Sequence, residues 1–231
     1  MINMQSKKIL VITPHPDDAE SGAGGTIVKW SRQGADITLV VCTNGDKGTS
    51  DREIPSHKLA ETRKGEQRKA ATILGISKVI FLEYPDQGLT DSSEFRKLLV
   101  KEIRINKPDV VITIDPERKW IRHSDHFYTG RVTLDAVFPY ARDHLAYPDL
   151  LDEGLEPHKV LDIYLWGSDD PNTFVDIDDT FDSKMDALYC HSSQMNRNKE
   201  EGMKRSRERF SEHGPKVIAE LAEPFKRLKL S

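Results

Sequence analysis

Cysteine is nearly absent: only Cys42 and Cys190 occur in 231 residues, too few for a disulfide framework. Two reduced thiols in a cytoplasmic protein are the default reading. No apolar run approaches the roughly 20 residues that span a bilayer, so integral membrane association is not expected. The polar start ahead of residue 8 carries no signal-peptide pattern. An excess of charge of one sign is missing as well. Lys and Arg number 34 against 38 Asp and Glu, a formal net charge of −4. That balance gives no general attraction to nucleic acid or to an anionic membrane, and no nucleic-acid partner is expected. The most basic stretch, 199–209, interleaves cations with Glu at helical spacing and reads as a solvated helix face.

What is present describes a charge-rich globular chain, with 37% hydrophobic and 31% charged residues. Apolar runs recur along most of its length, and no repeat or interdomain linker interrupts them, so 1–231 reads as one domain. Strands are predicted at 8–12, 37–43, 78–82 and 110–114, and helices at 19–32, 59–74 and 92–106. The second helix ends on Gly75 as its C-cap. Short connections and regular alternation give an α/β fold, Rossmann-like, with a mostly parallel sheet covered by helices on both faces. Past Ile114 the alternation weakens. The segment 115–125 reads as a polar loop at a strand's carboxyl end, 127–140 as helical, and 143–157 as surface loop. Strands at 161–166 and 173–177 and helices at 179–189 and 199–210 make a C-terminal extension over about 158–231 to a core of about 7–142. The tail has no clear pattern.

The chemistry is concentrated in Thr13-Pro14-His15-Pro16-Asp17-Asp18-Ala19-Glu20, directly after the strand Ile9-Leu10-Val11-Ile12. Carboxyl ends of strands are where open α/β sheets bind ligands. Two adjacent carboxylates and an imidazole there repel or desolvate one another, and a cation would relieve them. Gly22-Ala23-Gly24-Gly25 invites a dinucleotide reading, yet the carboxylates occupy the turn where a pyrophosphate would sit. The glycines fall inside the predicted helix and suit close helix–sheet packing instead.

His15 and Asp18, three apart across a strand-to-helix turn, can face one cleft. A third ligand must come from another strand end, and His123-Ser124-Asp125-His126 is the best candidate. Two histidines and an aspartate with an open position make a credible catalytic zinc site. Each residue also has an ordinary alternative: a lone histidine is usually a surface or core residue, and Asp17 or Asp18 could simply cap the helix.

These motifs, with Thr43-Asn44-Gly45-Asp46-Lys47-Gly48, Arg63-Lys64-Gly65-Glu66, Tyr84-Pro85-Asp86-Gln87-Gly88-Leu89 and His191-Ser192-Ser193-Gln194, resemble the LmbE-like, or PIG-L-like, zinc-dependent deacetylases of N-acetylglucosamine units. The similarity runs over roughly residues 7–195. The resemblance implies Zn²⁺ on His15, Asp18 and His126, with Asp17 as general base. It implies His123, in its protonated form, as the group assisting the carbonyl and leaving group, and Asp125 as the residue that orients His123. A small glycoside substrate and a homo-oligomer, trimer or hexamer, are also implied. Substrate contacts are expected from Asp46, Arg63, Trp120, His191 and Gln194. For Arg63 the alternative is a local ion pair with Glu66; for Asp46, holding its loop; for His191 and Gln194, support from behind the site. Trp166 is expected in the core, and Tyr84 is a further stacking candidate. The loop 115–122 is unusually charged, and its Glu117, Arg118, Lys119 and Arg122 leave the substrate open. An amidase acting on a non-sugar or thiol-conjugate amide would use the same residues, and a silent sugar-binding module would need no zinc.

Overall fold

In Ile9-Leu10-Val11-Ile12, alternate side chains enter opposite helical layers. Ile9 and Val11 join one buried cluster with Ala19, Ala23 and Ile27, whereas Leu10 and Ile12 join another with Phe95, Leu99 and Ile103. A strand covered on both faces has no polar side to show, which is why the run is continuously apolar. The computed structural model describes residues 4–120, 122–195 and 198–230. Residues 1–3 of the polar start, Ile121 of the charged loop and Ser231 of the tail lie outside the described residues.

The elements follow in the order β1 (Lys8–Thr13), α1 (Asp18–Arg32), β2 (Asp36–Thr43), α2 (Ser56–Leu74), β3 (Lys78–Tyr84), α3 (Ser93–Asn106), β4 (Val110–Ile114) and α4 (Ser124–Asp135). Then come α5 (Pro148–Asp152), β5 (Asp162–Trp166), β6 (Thr173–Asp176), α6 (Phe181–Leu188), α7 (Lys199–Ser211) and β7 (Ala222–Lys229). They build one sheet ordered β3-β2-β1-β4-β5-β7-β6. Every neighbouring pair is parallel except those made by β7, which runs antiparallel to β5 and β6. The fold is the expected Rossmann-like α/β arrangement with a C-terminal extension. The chain moves outward from β1 to β3, then returns to place β4 on the other side of β1. The crevice above β1 and β4 is therefore the switch point where such sheets bind ligands.

Four sequence expectations change. Residues 143–157 are not all surface loop, because α5 forms within them and buries Leu150 completely. The unpatterned tail contains β7. Helix α4 starts at Ser124, three residues ahead of the expected start, with His123 as its N-cap. It passes into a wider π-type turn, Ala136–Tyr140, which Phe138 breaks with extended φ/ψ of −146°/122°.

Gly75 ends α2 in the left-handed region at φ 72°, where a Cβ would be strained. The glycines in α1 serve close approach rather than phosphate binding: a Cβ on Gly22 would collide with the Trp166 ring, and one on Gly25 would lie 2.7 Å from Ile177 Cγ2. Trp166 is a core residue, 4% exposed. Among the described residues, no helix is long and apolar enough to cross a membrane.

Candidate active site

β1 ends at Thr13 and β4 at Ile114, and the two strands pair directly. The loops that follow them therefore face each other across the switch-point crevice and bring the two histidine motifs together. The rings of His15, His123 and His126 lie in mutual contact, with centroids 4.7 Å apart for His15–His123, 5.2 Å for His15–His126 and 5.5 Å for His123–His126.

Asp18 joins two of these rings, His15 and His126, on one oxygen. Its Oδ2 lies 2.9 Å from His15 Nδ1 and 3.2 Å from His126 Nε2, and accepts the backbone N–H of His15 at 3.1 Å. His15 turns its other nitrogen the opposite way, with Nε2 3.2 Å from Asp125 Oδ2 and 3.2 Å from Asp86 Oδ1. Asp125 is itself completely buried and accepts the backbone N–H groups of Gln87 at 2.6 Å and Leu89 at 3.2 Å. A buried, already anchored carboxylate behind a histidine fixes which ring nitrogen carries the hydrogen and frees the other for a metal.

Two groups here could hold a cation: His15, Asp18 and His126, or His15, Asp86, His123 and Asp125, with ligand atoms within 4.8 Å of one another in each. The second would require the nitrogen and the carboxylate that already hold each other. The first uses the free side of His15, and its His-Asp-His donor set fits zinc.

The electrostatics point the same way. Burial works against charge on His15, but its contacts with Asp125, Asp18 and Asp86 outweigh it and raise the imidazole to about 11. Burial would raise Asp18, yet hydrogen bonds to His126 and His15 hold it well below the ordinary carboxylate range. Three carboxylates around one histidine create a demand for positive charge, which a proton or a metal ion can meet.

Asp17 is set apart from Asp18 by its backbone. It stands at the N-cap position of α1 with φ 101°, and its side chain makes no capping hydrogen bond. Non-glycine residues in that region are strained, and such strain persists where the surroundings enforce it. Arg63 enforces it here: Nη2 donates to Pro16 O at 2.6 Å and Asp17 Oδ2 at 3.1 Å, and Nη1 donates to Gly45 O at 2.9 Å. Burial, followed by repulsion from Asp18, lifts Asp17 to about 7 against the pull of Arg63.

His123 departs from its expected state. The backbone N–H of Asp125 donates to His123 Nδ1 at 3.2 Å, so that nitrogen bears no proton and Nε2 is left as the donor. Burial, then the charge of His15, holds His123 below its ordinary value. The orienting role expected of the Asp125 carboxylate is not seen at His123, whose Nδ1 is 3.9 Å away, and Asp86 stands nearer to His123 Nε2 at 3.7 Å. What Asp125 gives His123 is its backbone N–H.

The remaining candidates sort by burial. Arg63 is 3% exposed and pairs with Asp17 rather than Glu66. Glu66 instead accepts from Ser192 Oγ at 2.9 Å, Ser193 N at 2.8 Å and Ser193 Oγ at 2.7 Å, which fastens the C-terminal motif to α2. His191 has no exposed surface and lies 3.7 Å from the buried Glu20, so it stands behind the site. Burial opposes its charge, but Glu20 raises it above its ordinary value. Gln67 ties this layer to the loop ahead of α1, donating to Glu20 Oε1 at 2.6 Å and accepting from Asp17 N at 3.3 Å.

Asp46 holds its loop, its Oδ1 accepting from Asp86 N at 3.0 Å. Gln194 Nε2 donates to Ser193 Oγ at 3.1 Å, and its Oε1 lies beside Gly48. Tyr84 packs edge-on against Phe95 at 5.3 Å, turned to the core rather than to a ligand. Trp120 stands 94% exposed, and it does not line the cleft beside the histidines. A cleft of about 140 Å³ adjoining His123 and His126 is lined by Asp115, Arg118, Arg122 and Phe127 among others. Asp86, Glu66 and Gln67 were absent from the sequence-based candidates; Asp86 and Glu66 lie inside motifs already quoted, and Gln67 directly follows one.

Residues 10–137 match the family model described as PIG-L: GlcNAc-PI de-N-acetylase. The chain is 37% identical over 188 residues to the diacetylchitobiose deacetylase of Thermococcus kodakarensis, covering 81% of this chain and 70% of that protein. It is 32% identical to a 1D-myo-inositol 2-acetamido-2-deoxy-alpha-D-glucopyranoside deacetylase of Thermomonospora curvata, covering 56% of this chain and 52% of that one. Among solved structures, N,N'-diacetylchitobiose deacetylase from Pyrococcus horikoshii, complexed with an inhibitor, superposes with a TM-score of 0.92 at 34% identity, over 97% of this chain and 84% of the other.

Proposed function

As this chain belongs to the PIG-L family, described as GlcNAc-PI de-N-acetylase, we propose that it removes the acetyl group from an N-acetylglucosamine unit of a small glycoside, releasing acetate and a free amine. The observation that carries the reading is the convergence of His15, Asp18 and His126 beside the uncapped carboxylate of Asp17. Zn²⁺ held by His15, Asp18 and His126 would supply Lewis acidity, activating water and polarising the amide carbonyl.

The protein's own groups then divide the proton work. Asp17, turned away from the helix and steadied by Arg63, takes the proton of the attacking water. The Nε2–H of His123 donates to the carbonyl oxygen as negative charge builds there. A neutral imidazole suffices for that role, because its other nitrogen is occupied by the Asp125 N–H. The proton taken up by Asp17 is next required by the departing amine, and returning it there closes the cycle with no net change in the protein. Arg118 and Arg122 line the cleft beside His123 and His126, where a sugar or its substituent would be met.

Relatives named for diacetylchitobiose and for an acetamido-glucopyranoside of inositol support an acetylated amino sugar as the substrate class. The test is acetate release from a panel of N-acetylglucosamine conjugates and one simple non-sugar acetamide, after chelation and again with Zn²⁺ restored. Release from the sugar amides alone, and only with metal, is expected. Equal hydrolysis of the non-sugar amide would replace the reading with a general amidase, and no release from metal-loaded protein would sink it.

A further inference from the structure

Lys184 on α6 and Glu223 on β7 form an ion pair at 2.7 Å with side chains 1% and 0% exposed. Two charges survive such burial only where their remaining hydrogen-bonding groups are answered. Lys184 spends all three N–H groups, donating to Glu20 O at 2.9 Å, Ser21 O at 2.7 Å and Glu223 Oε1 at 2.7 Å. Glu223 also accepts the backbone N–H of Gly25 at 2.9 Å and of Thr26 at 2.7 Å.

All four backbone groups belong to α1. In a regular helix the carbonyl of Ser21 serves the N–H of Gly25; here the ion pair lies along that rung, with the ammonium on the carbonyls and the carboxylate on the amides. Small residues let it approach. A Cβ on Gly24 would stand 3.0 Å from Lys184 Cγ, and one on Gly25 would stand 3.2 Å from Glu223 Oε1.

The carboxylate holds the second turn of α1, and the ammonium holds the end of the first, the turn that opens with Asp18. Its first rung is Ser21 N to Asp17 O at 3.0 Å. Lys184 thus grips α1 two and three residues beyond Asp18, and Glu223 backs it seven and eight residues beyond, from two elements of the C-terminal extension. We propose that Lys184 and Glu223 are positioning residues of the metal centre, fixing the first turn of α1 so that the Asp18 carboxylate stands between His15 and His126. The inference rests on the reading that His15, Asp18 and His126 hold the metal.

The test compares metal-free wild-type protein with the double variant Lys184→Met/Glu223→Gln, which removes both charges and leaves neither buried alone. Zn²⁺ affinity is measured by chelator competition, and folding by thermal melting of the metal-free protein. The folded variant is expected to bind Zn²⁺ about tenfold more weakly or worse. A folded variant whose affinity stays within twofold of wild type overturns the inference, since a pair that served stability alone would lower only the melting temperature. Should the double variant not fold, the wild-type protein decides. Coupling is reciprocal, so Zn²⁺ must slow amide exchange at Gly25 and Thr26, and unchanged exchange there with Zn²⁺ bound overturns the inference. Wild-type protein that takes up no Zn²⁺ removes the metal centre itself and this inference with it.

Discussion

The carboxylate of Asp125 closes on His15 and not on His123: it lies 3.2 Å from His15 Nε2 and 3.9 Å from His123 Nδ1. Asp125, two positions along from His123 with Ser124 between them, thereby governs a ring on a different strand end. Asp125→Asn is therefore expected to weaken Zn²⁺ binding by about 10–100-fold, read by chelator competition. If Zn²⁺ affinity is untouched while turnover falls, Asp125 acts through His123 after all.

Asp17→Asn leaves the three proposed metal ligands in place and removes the base. Turnover should fall by about 10²–10⁴-fold with the metal content unchanged, measured by acetate release and elemental analysis of the same sample. Near-normal turnover in a metal-loaded variant would contradict the assignment.

His126→Ala takes away one side of the Asp18 contact at 3.2 Å. The expected outcome is a protein that folds, loses Zn²⁺ during gel filtration and regains little activity when Zn²⁺ is restored. Retention of stoichiometric metal through the column would exclude His126 as a ligand.

Glu66→Ala deletes three hydrogen bonds to Ser192 and Ser193. Bonds to a charged acceptor contribute about 1.5–3 kcal/mol each and are not additive. A loss of roughly 3 kcal/mol in a chain of this size lowers the melting temperature by about 6–12 °C. A shift under 2 °C would show that the turn is held by something else.

The thiols give an inexpensive check on the fold. Cys42 is completely buried, and burial drives its thiol far above the ordinary range, whereas Cys190 is partly exposed. A thiolate reagent should titrate one group slowly in native protein and two after denaturation. Fast reaction of both in the native state would contradict the packing around β2.

The first half of the fold was legible because each strand is a continuous apolar run and each helix is closed by a cap or a glycine. β7 was not legible. Its sequence carries Glu223, Pro224, Lys226 and Arg227, and proline ordinarily marks an edge strand or none. The structure accounts for each: Glu223 pairs with Lys184, Pro224 sits opposite Phe174 on the short β6, Lys226 meets Asp170 and Arg227 meets Asp162. The candidate site was legible to the extent that its groups sit in short motifs beside strand ends. Its wiring was not, because Asp125 and His15 are 110 positions apart and Glu66 and Ser193 are 127 apart, and no local pattern records such pairs.

A third long connection bears on how the molecule is made. The hydrogen bond from Gly25 to Glu223 spans 198 positions, and β7 enters the sheet between two strands that precede it in the chain. α1 is synthesised before the strand that braces it, with six strands' worth of sheet, β2 to β7, still to follow. Contacts of such range are slow to form because a long loop must close first. During synthesis the helix that carries Asp18 can dock on its sheet early, but Glu223 joins Lys184 on it only once β7 has been made.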